Sequence, residues 1–393
     1  MKKSLSVLIF CSVLCISCQD SRNSDSVQSV NMLSAENADV KQIFDSLEVV
    51  HFDDRPEAII GDVIQIVSCK DYYIFRNVRN TIFVFDKDGR FVSSSRQVIG
   101  HGKGELGAVL GCTYNPHSRL IEVLTPTSIK FYDAYFNFKK SVSIPTKSPE
   151  GIDKPGLYFD YIYDISSYEH VLFSGGYLRS NGGTLYIYNS EDEKITQEIT
   201  FSDEIIDLIS NQENCFAKND DNTFAFLPYL TNKVFTFDAK SLTLTSFLNM
   251  DFGDRTVTKQ LLSDMPKSTR EEQRKRLRFI KDGEFLFPVA HAICNNHLFS
   301  YIRNGKDFND WYIIDYDIES KAVRKFKLTE EQLDKFCVEF LGDGPYLYVV
   351  GPDSTSSSAC INSFQEGDNH NHCICGQDSA DYGNIVLLKY RVK

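Results

Sequence analysis

Ile82-Phe83-Val84-Phe85-Asp86 is a short apolar run closed by an aromatic residue and an acid, and the same phrase returns along the chain. It reads Ile129-Lys130-Phe131-Tyr132-Asp133, Leu185-Tyr186-Ile187-Tyr188-Asn189, Val234-Phe235-Thr236-Phe237-Asp238 and Ile313-Ile314-Asp315-Tyr316-Asp317. A sixth copy, Val386-Leu387-Leu388-Lys389-Tyr390, lacks the acid. Short runs rich in β-branched and aromatic residues are strands. The closing Asp or Asn suits a tight turn, because its side-chain oxygen accepts hydrogen bonds from backbone N–H groups two residues on.

Outward from each copy lie further strands. One set precedes it: Tyr72–Phe75, Leu120–Leu124, His170–Phe173, Thr223–Leu227, His297–Ile302 and Tyr346–Val350. Before those come Val63–Cys69, Val109–Tyr114, Phe159–Ile165, Asn214–Lys218, Val289–Cys294 and Phe336–Leu341. A fourth strand follows five of the six copies, at Phe91–Ser94, Lys139–Ile144, Thr196–Phe201, Leu242–Leu248 and Ala322–Leu328. After the sixth the chain reaches Lys393, and Leu47–Phe52 is the strand left to complete the set. Six antiparallel four-stranded units that cannot bury both faces alone predict radial packing about an axis. The expected fold is all-β: a six-bladed β-propeller over residues 46–393, closed by an N-terminal strand, with one helical insertion between blades four and five. The weaker rival is a pair of β-sandwiches.

The N-terminus carries an address. Met1-Lys2-Lys3 and an apolar run from Leu5 to Ile16 precede Ser17-Cys18. The run is too short to span a bilayer and reads as a signal peptide over residues 1–17. A small residue before a cysteine marks cleavage by signal peptidase II, with the Cys18 thiol acylated. Polar residues 18–45 then read as a flexible lipidated tether. The chain carries a formal net charge of −12, and loss of Lys2 and Lys3 with the leader takes it to −14. That excludes nucleic acid as a natural partner, since phosphate binding needs a basic face.

At Gly100-His101-Gly102-Lys103-Gly104-Glu105, then Asn115-Pro116-His117-Ser118-Arg119-Leu120-Ile121-Glu122-Val123 and Ile129–Asp133, the chain resembles NHL-type propellers. With the lipobox, it is similar to the six-bladed β-propeller lipoproteins of Bacteroidetes. The resemblance implies export and an outer-membrane anchor in the cell envelope, facing the periplasm or the surface. It implies no particular activity.

Three segments are candidates for chemistry. The glycine-rich stretch Gly100–Gly107 offers N–H groups to an anion, or serves as a tight inter-blade turn. In the insertion Asp254–Gly283, a capping box from Ser268 and Glu271 predicts a helix. There Arg270, Arg274, Arg278 and Lys281 form one basic stripe, suited to an anionic glycan or an acidic protein, or simply solvated beside Glu271 and Glu272. The loop Ser354–Gly383 holds Cys360, His370, His372, Cys373 and Cys375. It reads as a disulfide from Cys360 to Cys373 or Cys375, as a loop with no cross-link, or as a zinc site of His370, His372, Cys373 and Cys375. The recurrent Cys69, Cys112, Cys215, Cys294 and Cys337 sit on first strands and read as buried thiols.

The leading functional expectation is therefore a non-catalytic ligand-binding or protein-interaction module held at the membrane by lipid alone. The alternative is a divalent-metal hydrolase or lyase of the gluconolactonase or amidating-lyase kind. Its site would lie in the central channel, drawing on Asp160, Asp164, Asn214 or His291. A third is a purely structural spacer. No cofactor motif is present.

Overall fold

A computed structural model of the chain describes residues 28–144, 159, 161–174, 184–200, 215–218, 222–228, 231–266, 269–304, 312–327, 340–352 and 384–393. Its strands, in chain order, begin with β1 (Gln28–Asn31), β2 (Glu36–Asn37) and β3 (Phe44–His51). Blade one is β4 (Val63–Ser68), β5 (Tyr72–Asn77), β6 (Ile82–Asp86) and β7 (Phe91–Ser94). Blade two is β8 (Gly111–Asn115), β9 (Leu120–Leu124), β10 (Ser128–Tyr132) and β11 (Phe138–Ser143). Blade three is β12 (Tyr161–Asp164), β13 (Glu169–Ser174), β14 (Thr184–Asn189) and β15 (Lys194–Thr200). Blade four is β16 (Phe216–Lys218), β17 (Thr223–Phe226), β18 (Lys233–Asp238) and β19 (Thr243–Asp251). Blade five is β20 (Leu286–Cys294), β21 (His297–Asn304), β22 (Tyr312–Asp317) and β23 (Val323–Lys327). Blade six takes β24 (Phe340–Asp343), β25 (Tyr346–Pro352) and β26 (Ile385–Val392), and its fourth strand is β3.

The turn chemistry expected of the repeated Asp or Asn is present in all five copies. Asp86 Oδ1 accepts from the N–H groups of Asp88 (3.0 Å) and Arg90 (2.9 Å). Asp133 does the same for Tyr135 and Asn137, and Asn189 for Glu191 and Asp192. Asp238 serves Lys240 and Ser241, and Asp317 serves Glu319 and Ser320. Each Asp or Asn thus reverses the chain from third strand to fourth.

The core lies in the seams between blades rather than at one centre. Phe216, Phe224, Phe226, Phe235 and Phe237 fill the seam with Val171, Phe173, Leu185 and Ile187 of blade three. Innermost strands approach closely on one side of the axis. A Cβ on Gly342 of β24 would sit 1.9 Å from the Ile293 carbonyl oxygen of β20, so only glycine permits that backbone contact. β16 lies against both β20 and β24.

Ring closure is antiparallel: Leu387 pairs with Val50, and Tyr390 with Leu47. Phe44 stacks on Phe299 at 5.6 Å and tilts against Tyr390 at 5.0 Å, tying blade six to blade five.

One expectation needs correction. The stretch expected as tether, residues 18–45, is structured from Gln28 onward. β1 adds in parallel to β19, with Gln28 opposite Leu248, making a fifth strand on blade four. Met32 then buries completely against Leu248, Met250 and Phe252. β2 adds in parallel to β23 on blade five. A short helix α1 (Val40–Ile43), capped reciprocally by Asp39 and Gln42, leads into β3. Residues 28–43 form a strap around the rim from blade four to blade six. Its strands are polar because a rim strand shows its side chains largely to water, so composition alone makes the strap look like linker.

Candidate functional site

A four-stranded antiparallel blade sends its first-to-second and third-to-fourth turns to one face of the ring. Its second-to-third and inter-blade connections go to the other. The first is the turn face, the second the loop face. Gly100–Gly107 and the insertion Asp254–Gly283 belong to the loop face; the stretch expected at Ser354–Gly383 lies outside the described residues.

The insertion forms helix α2 (Arg270–Asp282). Its capping box is Thr269 with Glu272, one residue later than the expected Ser268 with Glu271: Glu272 N–H donates to Thr269 Oγ1 (3.2 Å) and Thr269 N–H to Glu272 Oε2 (3.0 Å). Both frames have the right spacing. Downstream, Ile280 and Leu277 pack onto Val257, Leu262 and Phe287. Arg276 is buried as well and donates to the Leu262 carbonyl at 3.2 Å. Arg274 and Arg278 are exposed, as is Phe279, which leans on Phe285. Lys275 pairs with Glu271 at 3.2 Å. Arg270 and Lys281 belong to the same helix, but their side chains lie outside the described residues.

The glycine-rich stretch is closed upon itself. Glu105 Oε2 accepts from Gly102 N–H (2.8 Å), while Lys130 donates to the carbonyls of Glu105 and Gly102. Tyr132 Oη donates to Gly104 at 3.3 Å. A carboxylate of the chain itself occupies the place an anion would take.

Sequence reading missed a buried polar seam between blades two and three. Glu122 of β9 and His170 of β13 are fully buried, with Oε2 and Nδ1 3.0 Å apart. Asn115 Nδ2 donates to Glu122 Oε1 (2.9 Å) and to the Ser166 carbonyl (2.8 Å). Thr113 Oγ1 donates to Asp164 Oδ1 across the same seam at 2.8 Å. Burial, then the neighbouring Glu122 charge, pushes the Asp164 carboxyl up to about 6, against the opposing pull of Thr113 and His170. The only signal in the sequence was Asp164 and His170 inside apolar strands; their partners lie some fifty residues upstream. A second network is confined to blade five: His297 Nδ1 and Arg324 meet the two oxygens of buried Asp315 at 2.6 and 2.5 Å.

Of the expected channel ligands, Asp164 turns to Thr113 in the seam with blade two. His291 of β20 is buried beside the Ala225 carbonyl of blade four, and burial lowers its pKa to about 4, so the ring is neutral at pH 7. Asp160 and Asn214 lie outside the described residues, as do Cys360, His370, His372, Cys373, Cys375 and Cys337. Cys112, Cys215 and Cys294 are buried as expected while Cys69 is only half-buried, and burial raises the Cys112 thiol to about 11. No helix among the described residues is long and apolar enough to cross a membrane.

Six four-stranded units, a strand borrowed from the N-terminus and seams filled with aromatic side chains define a six-bladed β-propeller. The sequence profile of the family described as Domain of unknown function (DUF4934) matches residues 27–371, and the chain belongs to that family. The fold is similar to that of a Bacteroides fragilis protein described as exported, at 14% identity and a TM-score of 0.66, covering 93% of this chain and 99% of that one. It is also similar to a DUF4221-family member from Bacteroides vulgatus, at 11% identity and a TM-score of 0.54, covering 89% and 97%. No curated protein matches the sequence.

Proposed function

We propose that this propeller is a lipid-anchored, non-catalytic binding module of the cell envelope that takes an acidic partner at its loop face. The observation carrying this reading is α2. Ile280 and Arg276 fasten the helix to the ring while Arg274 and Arg278 share one exposed face and Phe279 is exposed further round the helix. Arginine and aromatic side chains exposed on one helix are a favourable composition for a recognition surface. The arginines are also opposite in sign to the net charge of −12 on the chain, so they can steer an anionic partner to one place. The Ser17-Cys18 junction supports the anchor, and an exported fold relative supports the compartment.

Two experiments test the two halves. Cys18→Ser should abolish incorporation of labelled fatty acid and release the chain from membranes; persistent labelling would refute the anchor. Reversing Arg274 and Arg278 to Glu should weaken capture of envelope partners by roughly tenfold or more, about 1.4 kcal/mol. Capture by the unaltered protein should also fall with salt. Capture indifferent to both charge reversal and salt would refute the α2 surface.

A further inference from the structure

The N-terminal chain and the insertion that carries α2 meet at one corner of the ring. β1 runs parallel to β19, with Gln28 opposite Leu248 and Asn31 opposite Asp251. β19 is the fourth strand of blade four and ends where the insertion begins, so β1 runs toward the loop face. Leu33, two residues on, is 42% exposed, and its side chain lies against Gly253 at the root of the insertion: a Cβ there would stand 3.4 Å from Leu33 Cδ1. The insertion is fastened at that root and again beneath the helix. Arg255 Nε donates to the Glu284 carbonyl (2.8 Å), Thr256 bridges to Leu286, and Arg276 donates to the Leu262 carbonyl. α2 is thus clamped to the sector of the ring at which the N-terminal chain arrives.

Nine residues separate Cys18 from Gln28. Fully extended, that stretch spans at most about 35 Å. A lipid on Cys18 therefore keeps the rim of blade four, and the corner beside it, within that reach of a bilayer. Resting on the anchored, acid-binding reading above, we propose that the partner of α2 is the anionic phospholipid surface of the membrane that holds the anchor. Charge favours this occupant as well as reach. Arg274 and Arg278 lie one turn apart on an exposed face, while the chain as a whole carries −12. An anionic surface repels the body and attracts that face, so it turns the ring as well as holding it. Of the acids on the helix, Glu271 is engaged by Lys275, Glu272 by the cap, and Asp282 is the last residue. The middle turn therefore presents guanidinium groups. The outward side of a single helix is convex, and a field of headgroup phosphates needs no pocket, whereas protein partners are gripped mainly where side chains fill one. Phe279, 42% exposed and four residues after Lys275, suits the headgroup layer, where aromatic rings settle. Tethering supplies an effective concentration on the order of millimolar, so a contact too weak to hold a free protein suffices.

The test floats the acylated mature protein with vesicles of phosphatidylcholine alone, or of equimolar phosphatidylcholine and phosphatidylglycerol, each carrying brominated acyl chains. Phe279→Trp supplies the probe, read against the unaltered chain to subtract Trp311. Emission of the introduced indole should be quenched on the mixed vesicles and not on the neutral ones. High salt, or Arg274→Glu with Arg278→Glu, should restore it. Unchanged melting temperatures in these surface variants separate lost docking from lost folding. Equal quenching on both vesicles, or none on either while the protein floats with both, overturns the inference. If an acidic protein is still captured through Arg274 and Arg278 in that case, the binding reading stands and its partner is a protein. Failure to float with neutral vesicles is a different result, which removes the anchor and this inference with it.

Discussion

Asp164 is the residue whose environment departs furthest from what its neighbours in sequence suggest. Its carboxyl titrates near 6 in the fold against 3.8 in an open chain. The folded state therefore holds the proton more tightly, and stability falls as pH rises between about 4 and 6. Above that window the full cost of a buried charge is present, and below it the cost is gone. Asp164→Asn keeps an oxygen to accept from Thr113 and removes the charge. It should stabilise the protein at pH 7 by on the order of 2 kcal/mol and flatten this part of the pH profile. Urea unfolding of both proteins across that range checks it; an Asn variant less stable at pH 7 would show that Glu122 and His170 depend on the charge. None of this was legible from the sequence, because a seam joins residues about fifty positions apart. The turn-forming Asp and Asn side chains, by contrast, were legible throughout: Asp86, Asp133, Asn189, Asp238 and Asp317 each act on N–H groups within four residues. Local chemistry can be read locally.

Among elements, the strands at the middle of each blade were read almost to the residue, since their apolar runs record burial on both faces. β6 was expected at Ile82–Asp86 and lies there; β26 extends to Val392 beyond the expected end at Tyr390. Helix α2 was found with its cap one residue out, because two adjacent frames offer the same hydroxyl-to-glutamate spacing. β1 and β2 were missed: they are four and two residues long, polar, and paired in parallel along a rim. The two N-terminal contributions should differ in weight. Deleting residues 28–37 removes the buried Met32 and Ala35 and should cost roughly 2–3 kcal/mol. Deleting Leu47–Phe52 removes Val50 and Phe52, the latter packed against Tyr73, Phe75 and Phe85, and breaks the pairing with β26. That loss should be larger by several kcal/mol and should expose an open sheet edge. Melting temperatures of the two deletions, measured side by side, decide it. Equal losses would mean that the rim carries as much of the fold as the closing strand.

At the scale of the molecule, the strap fixes when this protein can finish folding. Ser29 meets Asn249 across 220 residues of chain, Leu33 meets Lys325 across 292, and Glu48 meets Lys389 across 341. The first described residues to emerge wait for nearly the last. Contacts of such separation are slow to form, because loop-closure entropy must be overcome before they stabilise anything. A chain lacking Ile385–Lys393 should therefore lose cooperative thermal unfolding altogether, where trimming an ordinary edge strand would only lower the midpoint. This late closure acts as a timer. The ring cannot lock until its last strand, β26, is available to β3, so the architecture itself keeps the chain open until almost all of it has been made.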